Sequence, residues 1–244
     1  MFWRNIRTFL VTPPLSAFCF SMFWLSGIVV DWFDRSKTGL HYVARFWSRL
    51  LLRTAGVRVV TEGLERIPKD GHYVYVSNHL SLADTPIMCA CLPTRFRFLA
   101  KESLMKIPII GGHLRRGGHI AVTREDARGA ARSLAEAAGV LKKKLASILI
   151  FAEGTRSVGE LRSFKGGAAH LAIKCQVPVV PVALTGTGEV LPRRAVFLRP
   201  GHIRLVIGEP IPTAGLTAQD RDAFTERLQE AVAGLRMRAM QSAG

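Results

Sequence analysis

The chain is 244 residues long and 48% hydrophobic, enough for one sizeable core, and no Gly/Ser-rich or Pro-rich stretch marks a linker between domains. Its 34 Lys and Arg against 18 Asp and Glu give a formal charge of +16, which calls for anionic partners without choosing among nucleic acid, anionic lipid and phosphorylated small molecules. Four scattered cysteines exclude a disulfide framework, and Cys89-x-Cys91 lacks a second ligand pair, so a reduced protein with no metal is expected.

The first element along the chain is apolar. Thr8 to Val30 is a run of 23 uncharged positions that includes Phe9, Phe18, Phe20, Phe23 and Trp24, with Arg4 and Arg7 before it. A straight helix of that length covers about 34 Å against a hydrocarbon core of about 30 Å. Pro13-Pro14 is expected to interrupt it and leave about 25 Å beyond, which makes crossing uncomfortable. A cleaved signal peptide fits worst, for want of a small-residue cleavage site, and a single span anchored by Trp3 and Trp32 is a second reading. Basic residues on both flanks favour a third, a re-entrant or interfacial helical hairpin whose ends both stay cytoplasmic.

Gly39 to Ala55 reads as an amphipathic helix, with Leu40, Val43, Trp47, Leu50, Leu51 and Thr54 on one side and Arg45, Arg49 and Arg53 striping the other. That stripe suits anionic lipid and a solvated face equally well. Residues 1–55 are thus expected to form a membrane-associated helical segment (hydrophobic 8–30, amphipathic 39–55), and 56–244 a single folded domain.

Within that domain, apolar runs predict strands at Val57 to Thr61, Tyr73 to Ser77, Phe96 to Ala100, His119 to Val122, Ser147 to Phe151, Val177 to Leu184 and Ile203 to Ile207. Helical patterns fall between them. They cover Ala83 to Cys91, Ala127 to Leu145 (with Leu134, Ala138, Leu141 and Leu145 on one side), Gly166 to Cys175, and a final helix opening at Thr217. Gly186 to Gly188 reads as a turn, because no third glycine follows. The alternation implies an α/β fold, a mixed and largely parallel sheet layered by helices.

Two clusters carry chemistry. In Asn78-His79-Leu80-Ser81-Leu82-Ala83-Asp84 a carboxylate follows a histidine by five positions. Along a regular helix that spacing leaves the side chains about 140° apart, so His79 has to sit in the loop before the helix and curl back onto Asp84. Such a pair can act as base and orienter, or Asp84 can merely cap the helix beside an ordinary loop histidine. In Glu153-Gly154-Thr155-Arg156-Ser157, after the strand ending at Phe151, glycine permits a sharp turn and arginine offers a planar fork to phosphate. Lys101 and Arg124 stand in the same relation to their strands, so that with Arg156 three strand-end cations can form one anion site. No Gly-x-Ser-x-Gly elbow supports a serine nucleophile, which leaves direct transfer preferred.

These blocks, with Leu99-Ala100-Lys101-Glu102, Gly118-x-Ile120-x-Val122-x-Arg124 and Val177-Pro178-Val179-Val180-Pro181-Val182, resemble the glycerolipid acyltransferases. They are most similar to the 1-acyl-sn-glycerol-3-phosphate acyltransferases of bacteria, in order and interval from about residue 55 to 190. The resemblance implies that His79 is the general base and Asp84 its orienting partner. It likewise implies that Lys101, Arg124, Arg156, Glu153, Gly154 and Thr155 bind the acceptor, and that the fourth block shapes an acyl pocket. Ala152 stands where the family often has proline, and Thr123 where an acidic residue is frequent, which bears on acceptor preference more than on chemistry.

The implied reaction moves a fatty acyl group from acyl-CoA or acyl carrier protein, as co-substrate and with no cofactor or metal, to the sn-2 hydroxyl of lysophosphatidate. The implied partner surface is an anionic phospholipid membrane at the cytoplasmic face of the inner membrane. Another acceptor, such as glycerol 3-phosphate or a lyso-aminolipid, would use the same chemistry, and a non-catalytic lipid-binding protein is the alternative of a different class. Nucleic-acid binding is not expected, since no zinc finger or aromatic RNA-binding signature accompanies the charge.

Overall fold

The computed structural model describes residues 12–34, 38–108, 110–123, 126–157 and 159–241. Seven strands form one sheet: β1 (Val57–Glu62), β2 (Val74–Ser77), β3 (Phe96–Lys101), β4 (Ile120–Val122), β5 (Ser147–Phe151), β6 (Val179–Thr185) and β7 (Gly201–Ile207). Their order is β1-β7-β6-β2-β5-β3-β4. The block from β6 to β4 is parallel throughout, while β7 runs antiparallel to β6 and carries β1 parallel to itself. The sheet is therefore mixed and mostly parallel.

The middle strands are apolar on both faces because helices cover both. Val74 and Val76 of β2 face a cluster built with α6 (Ala127–Lys142), α7 (Gly167–Cys175) and α9 (Arg221–Gln241), while Tyr75 faces the opposite cluster, with α2 (Thr38–Thr54) and α3 (Asp84–Cys91). Such strands read as near-continuous apolar runs, which is why they were legible. The block Val177 to Val182 is spent here. Val179, Val180 and Val182 are fully buried beside β2, as core rather than as the lining of an open pocket.

Several expectations are corrected. The N-terminal helix, α1 (Thr12–Phe33), takes Pro13-Pro14 into its first turn, where a missing N–H and a fixed φ are tolerated, so the described helix begins at the prolines. Positions 8–11 of the expected apolar run lie outside the described residues. Among the described residues no helix is long and apolar enough to cross a membrane. α1 folds back on α2, where the Trp47 indole donates to the Ser26 hydroxyl at 3.0 Å.

The arginine stripe of α2 is divided. Arg45 turns into the protein and donates to the Leu92 and Cys89 carbonyls, and Arg49 donates to that of Ala90 at 3.0 Å, all at the C-terminal end of α3. Two guanidinium groups thus satisfy carbonyls that no helical N–H can reach, where the helix dipole favours positive charge. The outward stripe is mixed instead: Tyr42 and Phe46 are exposed at 55% and 59%, with Arg49 and Arg53 beyond them.

Three short helices went unread: α4 (Glu102–Met105), α5 (Ile110–Arg116) and α8 (Thr187–Val190). None spans more than two turns, so periodicity had too few residues to register. Gly186 does turn the chain, at φ +81°, but α8 follows at once. α6 stops at Lys142, and Leu145 lies beyond it, exposed.

Candidate active site

The parallel block brings the two chemical clusters together. β2 and β5 are neighbours in register, Ser77 opposite Phe151, so the loop after β2 and the loop after β5 leave the same carboxyl edge side by side. β3 lies beyond β5 and ends at Lys101, opposite Val122 of β4. Crevices at the carboxyl ends of strands are where α/β sheets bind ligands.

Asn78 opens the first loop by behaving as a strand residue with its side chain. Its amide donates to the Leu184 carbonyl at 2.9 Å and accepts from the Leu184 N–H at 2.8 Å, fastening the loop to β6. His79 follows, and its Nδ1 lies 2.7 Å from Asp84 Oδ2. The same oxygen accepts the backbone N–H groups of Leu80 (2.8 Å) and Ser81 (3.0 Å). An oxygen already taking two N–H donors is an acceptor toward the ring as well, so the ring proton sits on Nδ1 and Nε2 keeps its lone pair.

Burial makes this arrangement firm. The Asp84 side chain is fully buried, whereas that of His79 is 16% exposed, and the imidazole stacks on Phe151 with centroids 4.2 Å apart and planes 15° from parallel. Asp84 does begin the α3 helix, yet its carboxylate turns back to the histidine and the loop, so the helix-start and orienter readings describe one residue.

Glu153 joins the two loops. Buried to 4% exposure, it accepts the His79 N–H through Oε1 at 2.7 Å and the Arg162 N–H through Oε2 at 2.9 Å. The resemblance placed it among the acceptor ligands; here both of its oxygens are engaged by the protein backbone. From the other side the Ser157 N–H donates to the His79 carbonyl at 2.8 Å. His79 is thus held at its amide, its carbonyl and its ring.

Gly154 has φ +72°, so the sharp turn requires glycine; a Cβ there would lie 3.0 Å from the end of the Lys165 side chain, which would have to give way by only a few tenths of an ångström. Arg156 is half-buried and Thr155 exposed, with the Thr155 hydroxyl accepting from Arg162 at 2.8 Å. Lys101 is exposed at the end of β3. Arg124 lies outside the described residues, but its flank is defined: the Thr123 hydroxyl donates to Glu102 at 2.9 Å and, with Lys106, holds that carboxyl below the usual range. Phe151, Arg162 and Lys165 were missed from sequence. Arg162 and Lys165 follow the Glu-Gly-Thr-Arg block by only a few residues, and their cationic character was the available signal.

An imidazole aimed by a buried aspartate, on the carboxyl edge of an α/β sheet and beside a cationic loop, has the chemical means to take a proton from an alcohol or water near an anion. The chain belongs to the Acyltransferase family, whose model matches residues 58–185, from β1 through β6. Among solved structures it is similar to the 1-acyl-sn-glycerophosphate (LPA) acyltransferase PlsC from Thermotoga maritima, at 29% identity and a TM-score of 0.77, covering 94% of each chain. Among curated proteins it is 38% identical to the chloroplastic 1-acyl-sn-glycerol-3-phosphate acyltransferase LPAT1 of Arabidopsis thaliana, over 70% of this chain and 48% of that protein. It is 32% identical to 1-acyl-sn-glycerol-3-phosphate acyltransferase alpha of Mus musculus, over 75% of this chain and 67% of that protein. The chain spans about half the length of the plant relatives.

Proposed function

We propose that this protein transfers a fatty acyl group from an acyl thioester to the free sn-2 hydroxyl of 1-acyl-glycerol 3-phosphate, giving phosphatidic acid. The observation that carries the reading is the saturation of Asp84 Oδ2 by His79 Nδ1, Leu80 N–H and Ser81 N–H, which leaves Nε2 as the basic atom of a histidine whose loop is tied to the cationic one. Nε2 takes the hydroxyl proton as the alcohol oxygen attacks the thioester carbonyl. A C–O bond forms, the C–S bond breaks as the tetrahedral intermediate collapses, and the proton passes to the departing thiolate. Acyl-CoA or acyl carrier protein is a substrate here, and the chemistry calls on no metal or cofactor.

Lys101, Arg124 and Arg156 hold the acceptor phosphate, and positioning of this kind contributes several powers of ten. Membrane association is supported by the exposed apolar side chains of α1, among them Phe18, Leu25, Val29 and Trp32, and by the Tyr42, Phe46, Arg49 and Arg53 stripe of α2. Together they suit an interfacial hairpin lying on anionic lipid at the cytoplasmic face. The test is thiol release from acyl-CoA with lysophosphatidate, and with glycerol 3-phosphate as the competing acceptor. His79→Ala is expected to lose turnover by roughly 10³-fold or more, and Arg156→Ala chiefly to raise the acceptor KM. Wild-type turnover in His79→Ala is incompatible with this mechanism.

A further inference from the structure

The connection between α8 and β7 has a composition at odds with a purely structural loop. From Val190 to Gly208 no acidic residue occurs, while Arg193, Arg194 and Arg199 bracket Ala195-Val196-Phe197-Leu198. Leu191 and Leu198 anchor this loop in the same apolar cluster that receives Leu51 and Leu52 of α2. Between the anchors a turn, closed by the Ala195 N–H donating to the Pro192 carbonyl, carries the chain outward. Val196 stands 82% exposed and Phe197 36%, and all three arginines are exposed.

Two contacts fix where this tip sits. The Ser81 hydroxyl donates to the Leu191 carbonyl at 2.7 Å, tying the loop to the one that carries His79. The shared cluster puts it on the same face of the sheet as α2. An apolar tip ringed by arginines complements an anionic lipid surface, with side chains at the acyl boundary and cations among the headgroups. We propose that this loop is a second membrane contact beside the active-site mouth, seating Val196 and Phe197 in an anionic bilayer so that His79 opens where a lipid acceptor lies. The inference rests on the membrane-facing reading of the hairpin given above. A binding site for the phosphates of the thioester donor would use the arginines but gains nothing from an exposed valine at their centre.

The test uses the full chain and vesicles of phosphatidylcholine alone or with one part in three phosphatidylglycerol. Arg193→Gln/Arg194→Gln should weaken partition onto the anionic vesicles roughly 30-fold, leaving partition onto phosphatidylcholine unchanged. Val196→Asp should weaken both. With a short-chain, water-soluble acceptor both variants should keep wild-type turnover and thioester KM, which also certifies their folding. Wild-type partition in both variants overturns the proposal. A raised thioester KM with wild-type partition overturns it too, and assigns the arginines to the donor. Partition is read without catalysis, so a failure of the acyl-transfer reading would show separately, as absent turnover in the unmodified chain.

Discussion

At the carboxyl edge of the sheet the buried ionisable groups are carboxylates that accept N–H donors, Asp84 at Oδ2 from the His79 loop, with Oδ1 left without a partner among the described residues, and Glu153 at both oxygens from His79 and Arg162. Under the N-terminal hairpin they are bases with little to receive them. His119 Nδ1 accepts only the Phe98 N–H, at 3.0 Å, and His41 leaves a buried Nε2 with no hydrogen-bond partner among the described residues. Burial lowers both imidazoles, His119 to about 3 and His41 to about 4, and His113, Arg95 and Arg97 line the same small cavity and press in the same direction. One region sets an imidazole against a carboxylate; the other buries imidazoles among cations. The same side chain is held by a carboxylate at a loop in the first and packed as an uncharged group in the second.

Asp84→Asn is the most severe way to break the contrast. The amide oxygen can still take the loop N–H groups, but a carboxylate no longer faces Nδ1 to stabilise the imidazolium or dictate its tautomer. Turnover should fall by roughly 10³ to 10⁴-fold with little change in stability, measured by thiol release and thermal melting. Glu153→Gln should cost less, about 10 to 100-fold in kcat, because the amide can accept one backbone N–H but opposes the other with its own NH₂. If Glu153 only positions His79, the acceptor KM should stay within about twofold of wild type. A KM effect as large as the kcat effect would return Glu153 to the acceptor site.

The hairpin side should answer to acid. Because the folded values of His41 and His119 lie below 6.5, the unfolded chain binds more protons between those values, so stability rises with pH across the window and is lost as pH falls from about 6.5 toward 4. Melting temperature should drop by about 5 °C between pH 6.5 and 5, above the range where ordinary carboxylates titrate, and His119→Gln should flatten that slope. An unchanged slope in the variant would remove His119 from the explanation. The smallest effect expected is that of Arg45→Met, which frees the terminal carbonyls of α3. It should cost about 1 to 2 kcal/mol by urea unfolding with kcat nearly unaltered.

The His79–Asp84 pair was legible because its partners are five residues apart and helix geometry forbids the contact unless His79 precedes the helix. The middle strands β2 and β6 were legible because burial on both faces leaves an apolar run of the right length. Nothing local could announce that Glu153 holds the amide of a residue 74 positions away, or that Asn78 pairs with Leu184 across 106. The stripe on α2 shows the same limit from the other side. Periodicity gathered Arg45, Arg49 and Arg53 correctly onto a helix, yet only the docked C-terminus of α3 decided that Arg45 would turn inward.

By itself the amino-acid order determined the apolar runs, the loop-borne histidine with its aspartate, and the glycine that turns after β5, since each depends on side-chain size, charge or backbone freedom within a few residues. Which loops meet, which carboxylate holds the His79 amide and which arginine turns inward were decided only by the strand order β6-β2-β5-β3 and by the helices packed on it. The physical reason is that a buried polar group takes its hydrogen-bond partner from whatever the fold brings within reach, and that neighbour is set by packing across the sheet, not by distance along the chain.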